Sequence, residues 1–448
     1  MKKLTVSRYK EEKIRQGALL LEKEDFPELS FDHQAVELVS TQGKFLGCGY
    51  ISKQNKGLGW LVSKQKVDFD RDFFISLFEN AKEKRRFYRL AEDITAYRLF
   101  NQEGDGFAGL TVDEYGDYAL FSWYNPFVFS LKEEILQAFQ EVFPELMGAY
   151  EKIRFKGLDY ESAHVYGAEA PEVFTVLENG VAYQVFLNDG LMTGIFLDQH
   201  EVRASLVDGL ATGKSLLNMF SYTAAFSVAS AMGGASQTTS VDLAKRSREL
   251  SEAHFQANGL TLDNHRFVVM DVFDYFKYAK RHGLSYDVIV LDPPSFARNK
   301  KQTFSVAKDY HKLIKESLEI LNPKGVLIAS TNASNVTRAN VVSYDTVASD
   351  LQQSKGIDLK ALPRRDAAKA FKDNVASYAN AYVILTVANN SRTVFFFDVY
   401  RAGTNELLYT YEVRANKSDG NTVATFSKLS EQFYKNWQRS VEAQSKGK

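Results

Sequence analysis

From about residue 191 onward, short apolar runs alternate with amphipathic stretches. Nothing else in this chain limits its fold as severely. Ser215 to Met219, Thr239 to Leu243, Phe267 to Met270, Tyr286 to Leu291 and Val326 to Ser330 read as strands. Thr223 to Met232, Ala244 to Asn258, Val272 to Arg281 and Ser305 to Leu321 read as the helices between them. A strand–helix–strand series of this kind predicts a parallel, doubly wound sheet with right-handed crossovers, an α/β architecture.

Such sheets bind ligands beyond the carboxyl ends of their strands, so the exit loops carry the chemistry. The first strand leaves through Asn218-Met219-Phe220-Ser221-Tyr222-Thr223, with Thr223 expected as the helix N-cap. Neither G-x-G-x-x-G nor G-x-x-x-x-G-K-[ST] occurs, which argues against a dinucleotide site and a P-loop. The second strand ends in Asp242-Leu243, where an acidic residue can accept both ribose hydroxyls. The third ends in Asp271-Val272, placed for an adenine amine. Helix capping is the plain alternative for either aspartate, weaker when both stand on successive strand ends. Ribose and adenine partners without a pyrophosphate loop point to S-adenosylmethionine. Upstream, Asp198, Gln199 and His200 offer groups for its amino-acid end. A lone histidine beside an aspartate is more often a structural partner than a base.

The fourth strand leaves through Asp292-Pro293-Pro294-Ser295-Phe296. Proline fixes φ and lacks an N–H, so helix and ladder both stop there. A carboxylate, exposed carbonyls and an aromatic ring remain at the sheet rim, a combination suited to a flipped-out base.

The 448 residues are too many for one core, so two or three domains are expected. Residues 4–65 read as short strands, 71–190 as a mixed α+β unit with a helix from Asp70 to Arg89 and a hairpin across Glu178-Asn179-Gly180. Ala381 to Val387, Thr393 to Tyr400 and Glu406 to Val413 look like three antiparallel strands, followed by a helix over Ser427 to Ala443. The single cysteine, Cys48, rules out an intrachain disulfide framework or a multi-cysteine zinc site, and no metal is expected. No apolar run could span a bilayer and the first residues lack a signal-peptide core, so a cytoplasmic protein without membrane contact is expected. The net charge of −1 argues against wholesale nucleic-acid coating but allows a local basic face. Lys82, Lys84, Arg85 and Arg86 end the first long helix, either as a solvated cationic end or as phosphate contacts.

Taken together, four motifs carry a family resemblance: Asn101-Gln102-Glu103-Gly104-Asp105-Gly106 with Gly109-Leu110-Thr111-Val112-Asp113; Thr193-Gly194 with Phe196-Leu197-Asp198-Gln199; Asn218 to Thr223; and Asp292 to Phe296. Residues 1 to about 340 resemble the class I S-adenosylmethionine-dependent methyltransferases that modify bases of bacterial 23S ribosomal RNA. The resemblance implies a PUA-like RNA-binding domain over 1–70, a central α+β domain over 71–190 and a Rossmann-like methyltransferase domain over 191–340. Residues 341–448, read as sheet completion plus an α+β extension, depart from it. It implies that Gln199, His200, Asn218, Phe220, Ser221, Tyr222, Asp242, Leu243, Asp271, Val272 and Asp292 surround the cofactor, with Asp292, Pro293 and Phe296 on the acceptor side. It turns Lys84, Arg85, Arg86, Arg298, Lys300 and Lys301 toward ribosomal RNA as phosphate contacts. Where the family often has glycines after Ser-Tyr-Thr, this chain has Ala224 and Ala225, a mild departure, since Ala fits a helix better than Gly. The assembly state stays open, a homodimer included.

Methylation of cytosine at carbon 5 needs a thiolate to add at carbon 6. In the cytosine-modifying relatives a cysteine follows the fifth strand; here the place reads Ile328-Ala329-Ser330-Thr331-Asn332-Ala333-Ser334, with no cysteine. The expected acceptor is therefore a nitrogen such as guanine N7, which needs positioning more than a strong base. The segment Ser295 to His311 also resembles the guanine-N7-modifying branch. The rivals are a cytosine-C5 enzyme, a transferase acting on a protein or small molecule, and a non-catalytic RNA-binding assembly factor.

Overall fold

A computed structural model of the chain describes residues 1–26, 33–54, 57–298, 303–331, 344–379, 381–389, 393–414 and 429. The chain divides into two compact units, Met1–Met270 and Asp271–Lys448.

The first unit begins with a five-stranded sheet in the order Lys2–Thr5, Gln34–Val39, Phe45–Ile51, Gly59–Ser63, Leu20–Leu21. Alternating apolar residues bury one face: Val36, Leu38, Ile51 and Leu61 pack with Leu4, Ile14 and Leu21. The helix Arg8–Arg15 on this module is capped by Ser7, whose hydroxyl accepts from the Lys10 N–H. Cys48 is buried inside it.

Next comes a second five-stranded sheet, ordered Ser162–Gly167, Gly148–Ile153, Tyr118–Trp123, Leu110–Tyr115, Ala96–Asn101. Arg71–Lys84 and Lys132–Val142 cover it, and their apolar stripes supply a phenylalanine-rich core. Phe78 meets Phe139 edge-on at 5.2 Å, and Phe121 meets Phe139 edge-on at 4.9 Å. The predicted helix from Asp70 to Arg89 is two helices, Arg71–Lys84 and Arg86–Leu90, broken at Arg85 (φ −100°, ψ 12°). The expected hairpin is present as Phe174–Glu178 and Val181–Val185. Asn179 and Gly180 both take positive φ, as a tight two-residue turn demands.

The rest of the unit holds three parallel strands, His265–Val269, Gln237–Asp242 and Ser215–Met219 in that order, with helices Ala225–Met232 and Lys245–Ala257. Their bounds fall within two residues of the sequence expectation, but Thr223 is not the cap. Phe220, Tyr222 and Ala224 have φ of 59°, 49° and 61°, so the chain cannot enter the helix before Ala225.

In the second unit, Tyr286–Leu291 and Leu321–Ala329 pair in parallel, with Val272–Arg281 and Val306–Glu319 among the helices. Lys280 of the first of these helices bridges Glu316 and Glu319 of the second. After the proline corner, Phe296–Arg298 pairs antiparallel with Thr303–Ser305, a ribbon the sequence reading lacked. Helices Tyr344–Lys355 and Arg364–Asn374 precede three antiparallel strands, Ala381–Asn389, Thr393–Arg401 and Leu407–Arg414, in consecutive order as expected. The expected helix over Ser427 to Ala443 lies outside the described residues. Among the described residues no helix is long and apolar enough to cross a membrane.

Candidate functional site

The first unit holds the exit loop of strand Ser215–Met219. Asn218, on the strand, is fully buried; its Nδ2 donates to Ser227 Oγ at 3.2 Å, while its Oδ1 is buried with no hydrogen-bond partner. An orphaned buried acceptor costs roughly 1–3 kcal/mol and marks a place for a donor. Downstream, three non-glycine residues in the left-handed region within five positions mean stored backbone strain. Several contacts hold the loop in that shape. Asp242 Oδ2 accepts from the Tyr222 N–H at 2.9 Å, and its Oδ1 accepts from the Ala244 N–H at 2.9 Å. Each carboxylate oxygen keeps a further lone pair for a ribose hydroxyl. Ser221, Asp242, Ala244 and Val269 line a small pocket at this edge, and the neighbouring Leu243 side chain is exposed.

The segment Thr193 to Gln199 is locked to the same loop. Thr223 Oγ1 donates to the Gly194 carbonyl at 2.6 Å, and the Gly194 N–H donates to Tyr222 Oη at 3.0 Å. Burial pushes the Tyr222 phenol up to about 12, so it stays neutral. Gly194 has φ +94°, and a Cβ there would lie 2.4 Å from the Gln184 carbonyl oxygen, so only glycine fits. Phe196 leaves this segment half-exposed, its ring 5.5 Å from that of Tyr222.

His200 does not present a free base. Its Nδ1 lies 3.4 Å from Glu178 Oε2, and its ring meets Tyr88 edge-on at 5.5 Å. Glu178 is wholly buried and takes a two-pronged contact from Arg203, at 2.5 and 2.8 Å. The His200 Nδ1 thus faces Glu178, the arrangement of a structural partner.

In the second unit, Asp271 caps the helix Val272–Arg281, its Oδ1 accepting from the Phe273 and Asp274 N–H groups. The capping alternative is thus realised here, and Val272 is the buried first residue of that helix. At the corner, Pro293 is buried and Phe296 is 69% exposed, a ring left open to a stacking partner. Ser330 Oγ donates to Asp292 Oδ1 at 2.5 Å and lies 3.2 Å from the Leu291 carbonyl. Tyr310 Oη donates to the Ser330 carbonyl at 2.7 Å, fixing the serine from its other side.

Two of the cations expected at RNA bond a buried carboxylate of the protein, Arg85 from a largely buried side chain and Lys84 from an exposed one. Asp105 accepts two hydrogen bonds from Arg85, at 2.8 and 2.6 Å, and one from Lys84 at 2.9 Å. Burial pushes the Asp105 carboxyl up, but these bonds and the Asn101 N–H outweigh it and hold it below the usual range. Arg86 is exposed, 3.9 Å from Glu83. Arg298 ends its short strand, and Lys300 and Lys301 lie outside the described residues. The sequence reading missed the Gly194–Tyr222–Thr223 lock and the Glu178–Arg203 pair; both join residues far apart in sequence and leave no local signal.

A strand-exit loop with an orphaned buried acceptor and an aspartate on the next strand end suits a nucleoside cofactor. The chain belongs to the S-adenosylmethionine-dependent methyltransferases: the family model of that description matches residues 153–351, and a PUA-like domain model matches residues 4–64. Among its relatives is the "Putative ribosomal RNA large subunit methyltransferase YwbD" of Bacillus subtilis (strain 168), 45% identical over 75% of this chain and 86% of that one. The ribosomal RNA large subunit methyltransferase I of Aeromonas salmonicida (strain A449) is 32% identical over 66% of this chain and 76% of its own length. Among solved structures, "a putative methyltransferase complexed with SAH" is 52% identical, with a TM-score of 0.72, covering 87% of this chain and 94% of that one. A methyltransferase from Streptococcus mutans matches equally, with a TM-score of 0.71. The protein is an enzyme whose cofactor is S-adenosylmethionine.

Proposed function

We propose that this enzyme methylates a base of large-subunit ribosomal RNA at a nitrogen, guanine N7 in the first place. The names of the relatives support the RNA class, and the observation that carries the nitrogen is the bond from Ser330 to Asp292. The stretch after the fifth strand, where cytosine-modifying relatives keep a cysteine, has none from Ile328 to Ser334, and Ser330 within it donates its hydroxyl proton to the Asp292 carboxylate. Cys48, the one thiol of the chain, is buried in the N-terminal module. Without a nucleophile, cytosine carbon 5 is inert.

S-adenosylmethionine, when bound, supplies an electrophilic methyl group on a sulfonium. The residues that would hold it are Asn218, whose unpartnered Oδ1 suits an N–H donor, Asp242 at the ribose, Ser221 and Leu243 beside it, and the segment through Gln199 at the amino-acid end. Phe296 stacks on the base, while Asp292 and the Pro293 carbonyl accept from its N–H groups and orient it. Guanine N7 would take the methyl group with its own lone pair as the sulfur–methyl bond breaks and neutral S-adenosylhomocysteine leaves; no proton leaves, and the ring becomes cationic. The Asp292 carboxylate complements that developing charge. The PUA-like module, the exposed Arg86, and Arg298 serve RNA docking through phosphates. The domain limits proposed are 1–70, 71–190, 191–340 and the extension 341–448.

The test is to incubate the enzyme with labelled S-adenosylmethionine and ribosomal RNA lacking its methylation, then locate the label. Strand scission at the labelled guanosine after borohydride and aniline treatment is expected. Label on cytosine carbon 5 would overturn the nitrogen reading.

A further inference from the structure

His254 sits on the helix Lys245–Ala257, 1% exposed, and both of its ring nitrogens face carbonyl oxygens. Nδ1 lies 2.9 Å from the Thr223 oxygen and Nε2 lies 3.0 Å from the Gln184 oxygen. A carbonyl only accepts, and a neutral imidazole carries a single N–H. Either tautomer therefore donates to one carbonyl and sets a nitrogen lone pair against the other. The imidazolium donates to both.

The two carbonyls are not arbitrary. Thr223 lies between Tyr222 and Ala224, both at positive φ, in the strained loop. The Gln184 carbonyl is the one against which Gly194 packs, and Gly194 is bonded to Tyr222 and Thr223. One ring thus closes a circuit through the hairpin strand, the Gly194 turn and the cofactor loop. Two ionisable groups share this environment. Tyr183, from the hairpin strand Val181–Val185, meets the imidazole edge-on at 5.5 Å, its hydroxyl 3.4 Å from the Ala225 carbonyl. Tyr222, from the loop, has its hydroxyl engaged by Gly194. The helix Ala225–Met232 brings no ionisable side chain, and among the described residues no carboxylate or cation acts on the ring.

We propose that His254 is a positioning residue for the cofactor loop, and that it grips this loop fully only as the imidazolium. Cofactor contacts add to the bonds that hold the Thr223 carbonyl at 2.9 Å from Nδ1, and so favour the form in which that nitrogen donates while Nε2 still donates to Gln184. The bound state therefore favours the proton, and affinity rises as pH falls through the ring's titration. Burial lowers that titration below the ordinary histidine value, more than the two carbonyls raise it, so the effect lies on the acidic side of neutrality. The inference rests on the cofactor reading of the loop.

The experiment is calorimetric titration of the full chain with S-adenosylhomocysteine between about pH 5 and pH 7.5, for wild type, His254→Asn and His254→Gln, spanning the ordinary imidazole range. Wild type is expected to tighten about three- to tenfold toward acid, which corresponds to a ring titration raised by roughly half to one pH unit in the complex. The amide variants are expected to bind weakly with no such slope. A wild-type slope retained in both amide variants, or a flat wild type, overturns the proposal. Should neither variant fold, ring NMR of wild-type histidines decides: an upward shift of the His254 titration on adding S-adenosylhomocysteine supports it, and an unmoved titration refutes it. Failure of wild type to bind at any pH sinks the cofactor reading and this grip with it. Binding with equal slopes sinks the grip alone.

Discussion

Ser330 donates its hydroxyl proton to Asp292 across the ends of two neighbouring parallel strands, at 2.5 Å. The serine thereby holds the carboxylate in one orientation, and the carboxylate occupies the serine's proton. Asp292→Ala should lower methyl transfer by about a hundredfold or more while RNA binding in a filter assay changes little, because positioning at a reacting atom is worth that much. Unchanged transfer would remove Asp292 from the site.

Ser330→Ala keeps the carboxylate but frees it to rotate. A hydrogen bond to a charged group contributes about 1.5–3 kcal/mol, so kcat should fall by roughly tenfold or somewhat more, with a small change in KM. Ser330→Cys tests the acceptor from the other direction. A thiol at this place should not create cytosine methylation, since the rest of the corner is built to orient rather than to add. Nucleoside mass spectrometry of the product decides, and the appearance of 5-methylcytosine would show that this residue alone selects the acceptor.

Ala224 and Ala225 invite opposite responses to glycine. Ala224 stands at φ 61°, where an L-residue is strained by about 1–2 kcal/mol, against about 0.8 kcal/mol for its buried methyl. Ala224→Gly should be neutral or slightly stabilising. Ala225 is the first helical residue, and glycine in a helix costs about 0.5–1 kcal/mol in addition to its largely buried methyl. Thermal denaturation should therefore rank Ala225→Gly clearly below Ala224→Gly, and equal destabilisation would contradict the strained-loop account.

That pair also shows where the sequence stops being legible. Apolar periodicity placed the strand Ser215–Met219 and the helix end at Met232, because burial pattern is written residue by residue. The left-handed turns at Phe220, Tyr222 and Ala224 were invisible, since no glycine marks them and their support comes from Asp242 and Gly194. The motif positions Asn218, Asp242 and Asp292 could be read because strand ends fall at predictable places. Asp271 caps the helix Val272–Arg281, the plain alternative that the sequence already offered for either aspartate. His200, half-buried, and His254, buried, both face groups from distant segments, so their partners could not be inferred.

The cationic run at the end of Arg71–Lys84 makes a further test. Arg85 and Lys84 converge on the buried Asp105, twenty residues away, and Arg86 remains exposed. Arg85→Ala should destabilise the protein by about 1.5–3 kcal/mol, since Asp105 loses its paired donors. Its effect on RNA affinity at constant folded fraction should be slight. Arg86→Ala should leave stability unchanged and reduce the salt dependence of RNA binding by about one phosphate contact. An equal loss of affinity in both variants would mean that Arg85 reaches RNA despite Asp105.

Glu178 gives the clearest pH prediction. Burial pushes its carboxyl up, but Arg203 and His200 outweigh that and hold it below its ordinary value of 4.5. A group depressed in the folded state contributes stability that is fully present above its ordinary value and disappears as pH falls through the lower folded one. Chemical denaturation should therefore show stability declining below about pH 4.5, in part through this pair. Glu178→Gln removes that part of the decline but leaves the Arg203 guanidinium, 2% exposed, without its counterion. Breaking a buried pair in this way costs about 3–5 kcal/mol, so the variant should be much less stable near pH 7 and should differ least from wild type in acid. A variant of wild-type stability at neutral pH would mean that the pair contributes nothing beyond its own desolvation.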